Sequence, residues 1–232
     1  MSGPSTRRRH VLDAVAVSIP AASGEDCVRL AVDGVDGAGK TIFADELAAA
    51  LTARGRAVVR IRADDFLNPR AVRHRRGRHS PEGFWLDSYD YGRLAADVLD
   101  PLGPGGSRRY RTAAHDLPSD TPVRPSPQVA EPGSVLVLDG MFLHRDGLAQ
   151  LWDFSIFLDV PFAVTAARMA ERDGTHPDPR DPSMTRYVQG QLLYFAACDP
   201  AARATIVIDN SDPQHPLVMS HTGHHPGSRP DW

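Results

Sequence analysis

The segment around Lys40 combines residue types at a spacing that can bind phosphate groups. Lys40 is the one lysine among the 26 lysine and arginine residues of the chain, and its neighbours match the pattern G-x-x-x-x-G-K-[ST]. In this pattern, backbone N–H groups and the ammonium group surround phosphate oxygens, and the hydroxyl that follows binds Mg²⁺. A lysine is a compact charge on a flexible stem, whereas an arginine is a broad, rigid fork. We therefore expect a nucleoside triphosphate site made of Gly34, Asp36, Gly37, Ala38, Gly39, Lys40 and Thr41.

Both flanks of this segment have the patterns of regular structure that such a loop needs. Residues 28–32 form an apolar run with β-branched valines, which predicts a short buried strand. Residues 41–54 carry apolar side chains at helical spacing, and Gly55 is suited to end that helix. A loop between a strand and a helix directs its N–H groups and the positive end of the helix dipole towards an anion. The order of elements therefore supports a phosphate-binding loop.

Apolar strands and helices alternate along the rest of the chain. Further strands are predicted at residues 57–61, 135–138, 154–160 and 205–208, and helices at residues 89–99, 162–172 and 184–198. Such alternation predicts an α/β fold with three layers and a mainly parallel sheet. Ligands of these sheets bind outside the carboxyl ends of the strands. Asp64 and Asp139 each follow a predicted strand, so we expect both carboxylates beside the glycine-rich loop.

The remaining motifs restrict the nucleotide-dependent chemistry. A guanine-specific switch GTPase needs an Asn-Lys-x-Asp motif, which a chain with the single lysine Lys40 does not contain. The LSGGQ-like signature of ABC-type ATPases is also absent from the sequence. A small-molecule kinase fits, because phosphoryl transfer to an alcohol needs an in-line γ-phosphoryl group and a carboxylate that positions the hydroxyl. Asp64 is suited to the carboxylate's role, and Asp139, with Thr41, to holding Mg²⁺.

Residues 28–210 resemble the uridine kinase and phosphoribulokinase branch of P-loop kinases, especially the uridine-kinase-like proteins. The family's second strand ends in Asp-x-Phe, to which Asp64-Asp65-Phe66 is similar. The resemblance implies that Asp64 is the base toward the acceptor hydroxyl, and we assign Asp65 to substrate binding or to supporting Asp64. Asp139-Gly140 resembles the family's strand ending in Glu-Gly, with Asp in place of Glu. The implied architecture is the three-layer P-loop NTPase fold with a small acceptor-binding insertion and a lid.

Other residues resemble the family's substrate-binding and lid positions. Tyr110 and His115 have the spacing of the Tyr-His pair that contacts the pyrimidine in uridine kinases, and ordinary surface residues are the alternative interpretation. Asp87 most resembles the Asp that holds the ribose hydroxyls, although the gap lengths differ. Arg168 and Arg172 resemble lid arginines, which implies that they act in catalysis by closing over the transferring group. For Arg168, a place on a solvated helix face is the alternative.

The implied reaction is the ATP- and Mg²⁺-dependent phosphorylation of a hydroxyl group on a nucleoside or nucleoside-like molecule, uridine and cytidine being the first candidates. Two alternatives stay open. One is a kinase of another small alcohol, such as a pantothenate-like or specialised metabolite. The other is a nucleotide-dependent binding or regulatory module. The expected partner is a small-molecule acceptor, without membrane or nucleic acid, and the sequence leaves open whether the chain forms a homo-oligomer.

Composition and length fit one cytoplasmic enzyme domain. The net charge of −3 gives no general nucleic-acid signature, and two cysteines do not make a disulfide framework. No segment has the roughly 20 apolar residues of a membrane span. The predicted units are a helical lead-in at residues 1–27, a kinase domain at 28–211 with an acceptor-binding insertion at 67–132 and a lid at 168–183, and a disordered, histidine-containing tail at 212–232.

Residues 67–83 are expected to be irregular, and they include a basic segment at residues 70–79. This segment contains Arg70, Arg73, His74, Arg75, Arg76, Arg78 and His79. It is interpreted either as a solvated loop or as a cationic wall for an anionic or large acceptor. Nucleic-acid binding is a third interpretation, which the negative net charge and the lack of interleaved aromatic residues disfavour.

Replacing the one lysine by arginine tests whether its type matters. Lys40→Arg preserves the charge, yet we expect it to remove most of the activity, because the guanidinium fork does not fit a loop built for an ammonium group. ATP-dependent turnover of the two proteins, compared at equal nucleotide concentration, checks this. Normal turnover by the variant would make Lys40 a compositional accident and contradict the phosphate-site interpretation.

Overall fold

Ten strands and eight α-helices are present among residues 4–219, the part of the chain that the computed structural model describes. The strands are β1 (Val28–Gly34), β2 (Val58–Arg62), β3 (Arg109–Tyr110), β4 (His115–Asp116), β5 (Thr121–Pro122), β6 (Gln128–Val129), β7 (Val135–Asp139), β8 (Phe154–Asp159), β9 (Ile206–Asp209) and β10 (Leu217–Met219). The helices are α1 (Thr6–Ser18), α2 (Lys40–Ala53), α3 (Arg70–Arg73), α4 (Pro81–Asp87), α5 (Tyr91–Leu94), α6 (Phe162–Asp173), α7 (Thr185–Cys198) and α8 (Pro200–Arg203). Short helical turns also occur at Ala63–Phe66, Ala149–Leu151 and Pro182–Met184, and α5 continues as a π-helical turn at Ala95–Leu99. None of the helices in this part of the chain is long and apolar enough to cross a membrane.

Six of the strands form the central sheet, in the order β10-β9-β8-β1-β7-β2. β1 pairs in parallel with both β7 and β8, β2 pairs in parallel with β7, and β9 pairs in parallel with β8. β10 is antiparallel to β9 at the edge of the sheet. The predicted α/β fold with a mainly parallel sheet is therefore confirmed. Its topology places the carboxyl ends of β1, β7 and β2 side by side.

Residues 212–219 differ from the predicted disordered tail. They lead into β10, in which Val218 pairs with Ile208 of β9. The prediction is wrong for this stretch because the edge of a sheet can bind a further strand through backbone groups, whatever the polarity of the sequence. The predicted histidine-containing tail beyond residue 219 lies outside the described residues. The predicted domain boundaries at residues 27 and 211 stay predictions.

Side chains of the central strands alternate between two apolar cores. Leu30 and Val32 of β1 belong to the core that contains Phe43 and Leu47 of α2. Ala31, between them, belongs to the other core, which includes side chains of α4, α5 and α7. Because successive side chains of a strand point to opposite faces, helices must cover both sides of the sheet. The result is the expected arrangement of three layers.

Helix α1 is attached to α2 through a buried arginine. Arg8 Nε donates to Glu46 Oε2 at 2.5 Å, and its guanidinium lies 5.5 Å from the centre of the Phe43 ring. Arg8 Nη1 also donates to the carbonyl oxygen of Pro213 at 2.6 Å. A buried guanidinium is stable only where its charge and donors have partners. Arg8 therefore joins α1, α2 and the segment before β10.

Residues 67–83, expected to be irregular, contain α3 and the start of α4. The Ser80 side chain caps α4 by accepting a hydrogen bond from Gly83 N, and Pro81 is the first residue of the helix. Phe84 is buried, and its ring meets that of Tyr187 of α7 edge to face at 5.3 Å. Short helices gain most of their stability from tertiary packing. The local hydrophobic periodicity of the sequence therefore did not predict α4, because α7, the helix that α4 packs against, lies far along the chain.

The contact between α4 and α7 is closest at Gly190. A Cβ atom at this position would lie 2.8 Å from Phe84 Cδ1 and 2.9 Å from the carbonyl oxygen of Pro81. We expect Gly190→Ala to lower the free energy of unfolding by about 1–3 kcal/mol, because the added methyl group overpacks the interface. Urea unfolding measures this. Gln189→Ala, at the exposed neighbouring position, is the control and should stay within about 0.5 kcal/mol of the parent. Parental stability of Gly190→Ala would contradict this contact.

Candidate active site

The glycine-rich loop, residues 34–39, turns between β1 and α2 in close contact with α6. Gly37 and Gly39 have φ values of 79° and 86°, which favour glycine. A Cβ atom on Gly37 would also lie 2.7 Å from the carbonyl oxygen of Thr165 on α6. Lys40 begins α2, and its Nζ donates to the carbonyl oxygen of Val35 at 2.8 Å. The lysine therefore folds back onto the loop that precedes it, at the N-terminus of a helix, where anions bind.

Thr41 and Asp139 meet beside this loop. Thr41 Oγ1 donates to Asp139 Oδ2 at 2.6 Å. Asp139 is buried, and its Oδ1 makes no hydrogen bond, although Arg60 Nη2 lies 2.6 Å away. A hydroxyl and a carboxylate are oxygen ligands of the kind that Mg²⁺ prefers, so the two side chains fit this ion. Within residues 4–219, no group of three or more His, Cys, Asp or Glu side chains could hold a metal, so Mg²⁺ here would need phosphate oxygens and water as further ligands.

A glycine at the end of β7 allows two strand ends to approach each other. A Cβ atom on Gly140 would lie 2.4 Å from Cβ of Ala63, the residue before Asp64. β2 and β7 are neighbours in the sheet, with Arg62 opposite Asp139. The close approach at Gly140 therefore sets the separation between the segments that carry the two carboxylates. Glycine at position 140 therefore has a steric role, beside the chemical role expected of Asp139.

Asp64 is an exposed residue, but protein atoms surround its carboxyl group closely enough to remove part of its hydration. Loss of hydration raises the pKa of Asp64 above its ordinary value. The hydrogen bond from Tyr89 and the charge of Lys40 lower the pKa of Asp64, while Asp139 and Asp36 raise it. The net upward direction makes Asp64 a stronger base than an ordinary, fully hydrated aspartate.

Tyr89, which the sequence interpretation placed only at the start of a helix, is the hydrogen-bond donor to Asp64. Its hydroxyl donates to Asp64 Oδ1 at 2.9 Å, and the side chain is buried. Backbone pairing fixes its position: Tyr89 bridges Leu67, and Asp90 N donates to the carbonyl oxygen of Phe66 at 2.8 Å. Burial raises the pKa of Tyr89, so its hydroxyl keeps its proton. No local sequence pattern reveals this contact between two segments.

A buried carboxyl group that sequence reasoning also missed lies under the loop. Asp33 Oδ1 accepts a hydrogen bond from Gly34 N at 2.7 Å. Asp33 Oδ2 accepts hydrogen bonds from Leu143 N, His144 N and the Tyr194 hydroxyl at 3.0, 3.1 and 2.5 Å, and His144 Nδ1 lies 2.8 Å away. Asp33 therefore joins the glycine-rich loop to α7 and to the segment after β7. The sequence did not predict this role of Asp33, because most of its hydrogen-bond donors lie far away along the chain.

Arg168 and Arg172 reach from α6 to the glycine-rich loop. Arg168 Nη1 donates to the carbonyl oxygen of Gly37 at 3.3 Å, and its Nη2 donates to that of Ser211 at 2.8 Å. Burial lowers the pKa of Arg168. Arg172 is exposed, and its Nη2 donates to Asp36 Oδ1 at 3.2 Å. The structure therefore places Arg168 as a brace against the loop and Arg172 beside the loop, where its guanidinium also donates to Asp173 at 2.5 Å.

Asp65 and Asp87 have different surroundings from those expected of substrate ligands. Asp65 is half-buried; burial raises the pKa of its carboxyl group, and the charge of Arg62 lowers it. Asp87 is 1 % exposed; Arg75 contacts its Oδ1, and Arg76 Nε donates to its Oδ2 at 3.0 Å. The bond from Arg75 lowers the pKa of Asp87. In this structure Asp87 is an ion-pair partner of the basic segment, and its role as a ribose ligand stays a prediction.

Tyr110 and His115 lie on two small antiparallel sheets, β3–β6 and β4–β5, in the predicted acceptor-binding insertion. The Tyr110 hydroxyl donates to Gln128 Oε1 at 2.9 Å. His115 is buried, and its Nε2 lies 3.2 Å from Asp120 Oδ1. The Tyr110 hydroxyl therefore joins β3 to β6, whereas neither ring nitrogen of His115 makes a hydrogen bond among the described residues. Their role as contacts to a base stays a prediction.

Comparisons with known proteins agree with this arrangement. The family model described as Phosphoribulokinase / Uridine kinase family matches residues 30–177. The chain is similar in structure to a possible uridine kinase from Bacillus stearothermophilus, at 21% identity and a TM-score of 0.67 over 86% of this chain and 96% of that one. It is also similar to phosphoribulokinase from Rhodobacter spheroides, at 15% identity and a TM-score of 0.51 over 80% of this chain and 70% of that one. At these identities the solved structures establish the fold. No curated protein matches the sequence.

The bond from Tyr89 to Asp64 predicts a measurable change in acidity. Tyr89→Phe keeps the ring and removes the donor, so we expect the pKa of Asp64 to rise further and its ionised fraction at any given pH to fall. The carboxyl ¹³C resonance of Asp64, followed as a function of pH, measures this. Tyr91→Phe is the control, because the Tyr91 hydroxyl is buried and makes no hydrogen bond to Asp64. An unchanged Asp64 titration in Tyr89→Phe would refute the assigned bond.

Proposed function

The chain belongs to the phosphoribulokinase/uridine kinase family, and from that premise we propose that it transfers the γ-phosphoryl group of ATP to a hydroxyl group of a nucleoside or nucleoside-like molecule. Membership makes it a P-loop kinase that acts on a small molecule. One observation carries the proposal: Lys40, the Thr41–Asp139 pair and Asp64 converge at the neighbouring carboxyl ends of β1, β7 and β2. Phosphoryl transfer needs these three parts on one side of a sheet.

The loop side of the site supplies positive charge and backbone donors. Lys40 would exchange the carbonyl oxygen of Val35, 2.8 Å from its Nζ, for phosphate oxygens of ATP. Thr41 and Asp139 would hold Mg²⁺, which offsets charge on the phosphates when it is bound. The N–H groups of the loop and the N-terminus of α2 would bind the same phosphates. The reaction also assigns the protein to the cytoplasm, where ATP and Mg²⁺ are available.

The acceptor side depends on Asp64. An acceptor hydroxyl would donate to its carboxylate, which orients the oxygen toward the γ-phosphorus and takes the proton as the O–P bond forms. Partial loss of hydration raises the pKa of Asp64 and strengthens it as a base. The bond from Tyr89 to Oδ1 fixes the carboxylate, leaving Oδ2 for the acceptor hydroxyl. Asp65 is adjacent and is proposed to shape the same acceptor site.

Arg172 is proposed to act on the transferring group. Its guanidinium is exposed and bonds to Asp36 of the loop at 3.2 Å. Closure of the segment after α6 would move this charge from Asp36 and Asp173 to the γ-phosphate and exclude water, which otherwise hydrolyses ATP. Arg168, held by carbonyl groups of the loop and of residue 211, is proposed to keep α6 in register with the phosphates.

A kinase of another small alcohol is the second candidate, and one observation favours it. The Tyr110 hydroxyl already donates to Gln128, so reading a pyrimidine would require Tyr110 to exchange its partner. Initial rates of ADP release over matched panels of nucleosides and of non-nucleoside alcohols separate the candidates. Turnover confined to uridine and cytidine supports the first. Turnover confined to other alcohols supports the second.

Asp64→Asn separates a kinase from a module that only binds nucleotide. We expect turnover to fall by about 10²–10⁴-fold, because the base is lost while the side chain keeps its shape. Nucleotide affinity, measured by calorimetry with a non-hydrolysable ATP analogue, should stay unchanged. Unaltered turnover in this variant would contradict the role of Asp64, and a protein without acceptor turnover in either form would favour the binding module.

The same variant predicts a gain in stability. Surrounding protein raises the pKa of Asp64 above its unfolded value, so the folded chain binds this proton more tightly than the unfolded chain does. Stability therefore falls as the pH rises from the ordinary pKa of aspartate through the raised one, and at neutral pH ionised Asp64 opposes folding. Asp64→Asn should remove this cost, and thermal unfolding at pH 7 should show a midpoint no lower than that of the parent. A clearly lower midpoint would contradict the direction of the shift.

A further inference from the structure

Arg60 of β2 is the cation that pairs with Asp139, the carboxylate proposed to hold Mg²⁺. Its Nη2 lies 2.6 Å from Asp139 Oδ1, and both atoms are buried. Neither atom makes a hydrogen bond among residues 4–219, so the two groups meet through their charges rather than through an aligned hydrogen bond. The side chain of Asp139 is 5 % exposed and that of Arg60 is 20 % exposed. Solvent and salt therefore screen this ion pair only weakly.

A closed set of contacts holds Arg60 in this position. Arg60 Nε donates to Asp45 Oδ1 at 2.8 Å, and Asp45 belongs to α2. Thr41, four residues earlier on the same helix, donates to Asp139 Oδ2 at 2.6 Å. Residues four apart lie on one face of a helix. The guanidinium group of Arg60 therefore bridges α2 and the end of β7, and the helix that begins at the phosphate site fixes its place.

The pair has a consequence for any metal ion that approaches Asp139. A buried carboxylate is stable only where a positive charge or hydrogen-bond donors compensate for its lost hydration. Thr41 supplies one donor, and Arg60 supplies a full charge. Asp139 and Arg60 together are electrically neutral. A divalent cation therefore gains little attraction from the pair, and the adjacent guanidinium group repels it.

Nucleotide phosphates would change this balance. Within residues 4–219, no cluster of three or more His, Cys, Asp or Glu side chains could hold a metal, so further ligands must come from outside the protein. Lys40 and the N-terminus of α2 are suited to bringing the phosphates of a nucleoside triphosphate to this place. The phosphates carry several negative charges, which outweigh the single positive charge of Arg60. The cation and the nucleotide then favour each other's binding.

We propose that Arg60 is the internal counter-ion of Asp139, so that the Thr41–Asp139 pair takes a divalent cation together with a nucleoside triphosphate and not by itself. Arg60 thereby makes the site selective for the metal–nucleotide complex over the free metal ion. This inference rests on the proposed function, because it takes Thr41 and Asp139 as ligands of the metal. It assigns to Arg60 the role of setting when those ligands bind.

Mn²⁺ is the probe, because it takes oxygen ligands as Mg²⁺ does and is paramagnetic. Relaxation of water protons by bound Mn²⁺ measures its affinity for the full chain without nucleotide. The parent protein should bind the ion weakly, and a non-hydrolysable ATP analogue should strengthen the binding. Arg60→Gln should bind Mn²⁺ without nucleotide about tenfold more tightly than the parent or better, because a positive charge beside the ion is removed.

Arg62→Gln is the matched control. Arg62 lies two residues further along β2, is exposed, and has its Nη2 3.6 Å from Asp45 Oδ2. The variant removes the same charge from the same strand, yet it should leave Mn²⁺ affinity within about twofold of the parent, because solvent screens exposed charges. Arg60→Lys keeps a positive charge and should stay near the parental affinity.

A second substitution assigns the gain in affinity to its site. Adding Asp139→Asn to Arg60→Gln removes the carboxylate whose charge was released. The double variant should therefore lose the gain in Mn²⁺ affinity. Retention of the gain would place the ion elsewhere and contradict the proposal.

Thermal unfolding of Arg60→Gln separates a folding defect from a changed site. Loss of the counter-ion leaves Asp139 buried and unpaired, so the midpoint in a chelator should lie below that of the parent. Mn²⁺ should raise the midpoint of the variant more than that of the parent, because a ligand of the folded chain stabilises it. A variant that folds only with Mn²⁺ would support the proposal in the same way. A variant that Mn²⁺ does not stabilise would contradict it.

Three results of the binding measurements would overturn the proposal. The parent could bind Mn²⁺ as tightly without nucleotide as with the analogue, Arg60→Gln could gain no affinity, or Arg62→Gln could gain as much. These measurements follow metal binding rather than turnover. A protein without phosphoryl transfer whose Arg60→Gln variant still gains Mn²⁺ affinity would refute the proposed function alone. An active kinase without that gain would refute the role of Arg60 alone.

Discussion

The hydrogen bonds of one buried carboxyl group hold the parts of the site in register. Asp33 lies near the end of β1 and accepts hydrogen bonds from the glycine-rich loop, from the segment after β7 and from Tyr194 of α7. One turn earlier on α7, Gln191 Oε1 accepts a hydrogen bond from Asp36 N at 2.8 Å. The glycine-rich loop is therefore held in position by both Asp33 and Gln191. A carboxyl group without these donors would be costly in the core, so the site and the stability of the fold depend on the same bonds.

The order of the strands in the sheet determines which functional residues come together at the site. β2 and β1 are separated by β7 in the sheet, so the residues that follow each strand lie at one edge although they are far apart in sequence. Two glycines allow the segments to approach each other closely. Gly37 allows α6 to lie against the loop, and Gly140 allows the end of β7 to approach Ala63. Packing of the backbone thus positions the functional groups, so their side chains need to adopt few conformations.

Short-range sequence patterns predicted most of the sheet and the loop, because alternating apolar runs and the spacing of Gly39, Lys40 and Thr41 are local properties. The same reasoning could not find Tyr89 or Asp33, whose roles depend on partners that folding brings together. The sequence also did not indicate that two arginines of the basic segment, Arg75 and Arg76, pair with Asp87. Burial and pairing of charges are decided by tertiary structure, which residue spacing does not contain.

Phosphorus NMR of the full chain with Mg²⁺, ATP and a pooled set of nucleosides and small alcohols follows the γ-phosphoryl group directly. If Lys40, the Thr41–Asp139 pair and Asp64 act together as phosphoryl-transfer groups, the γ signal of ATP should be replaced by those of ADP and a phosphate monoester in equal amounts. The appearance of inorganic phosphate alone, or of an unchanged ATP spectrum with every acceptor, would contradict the account.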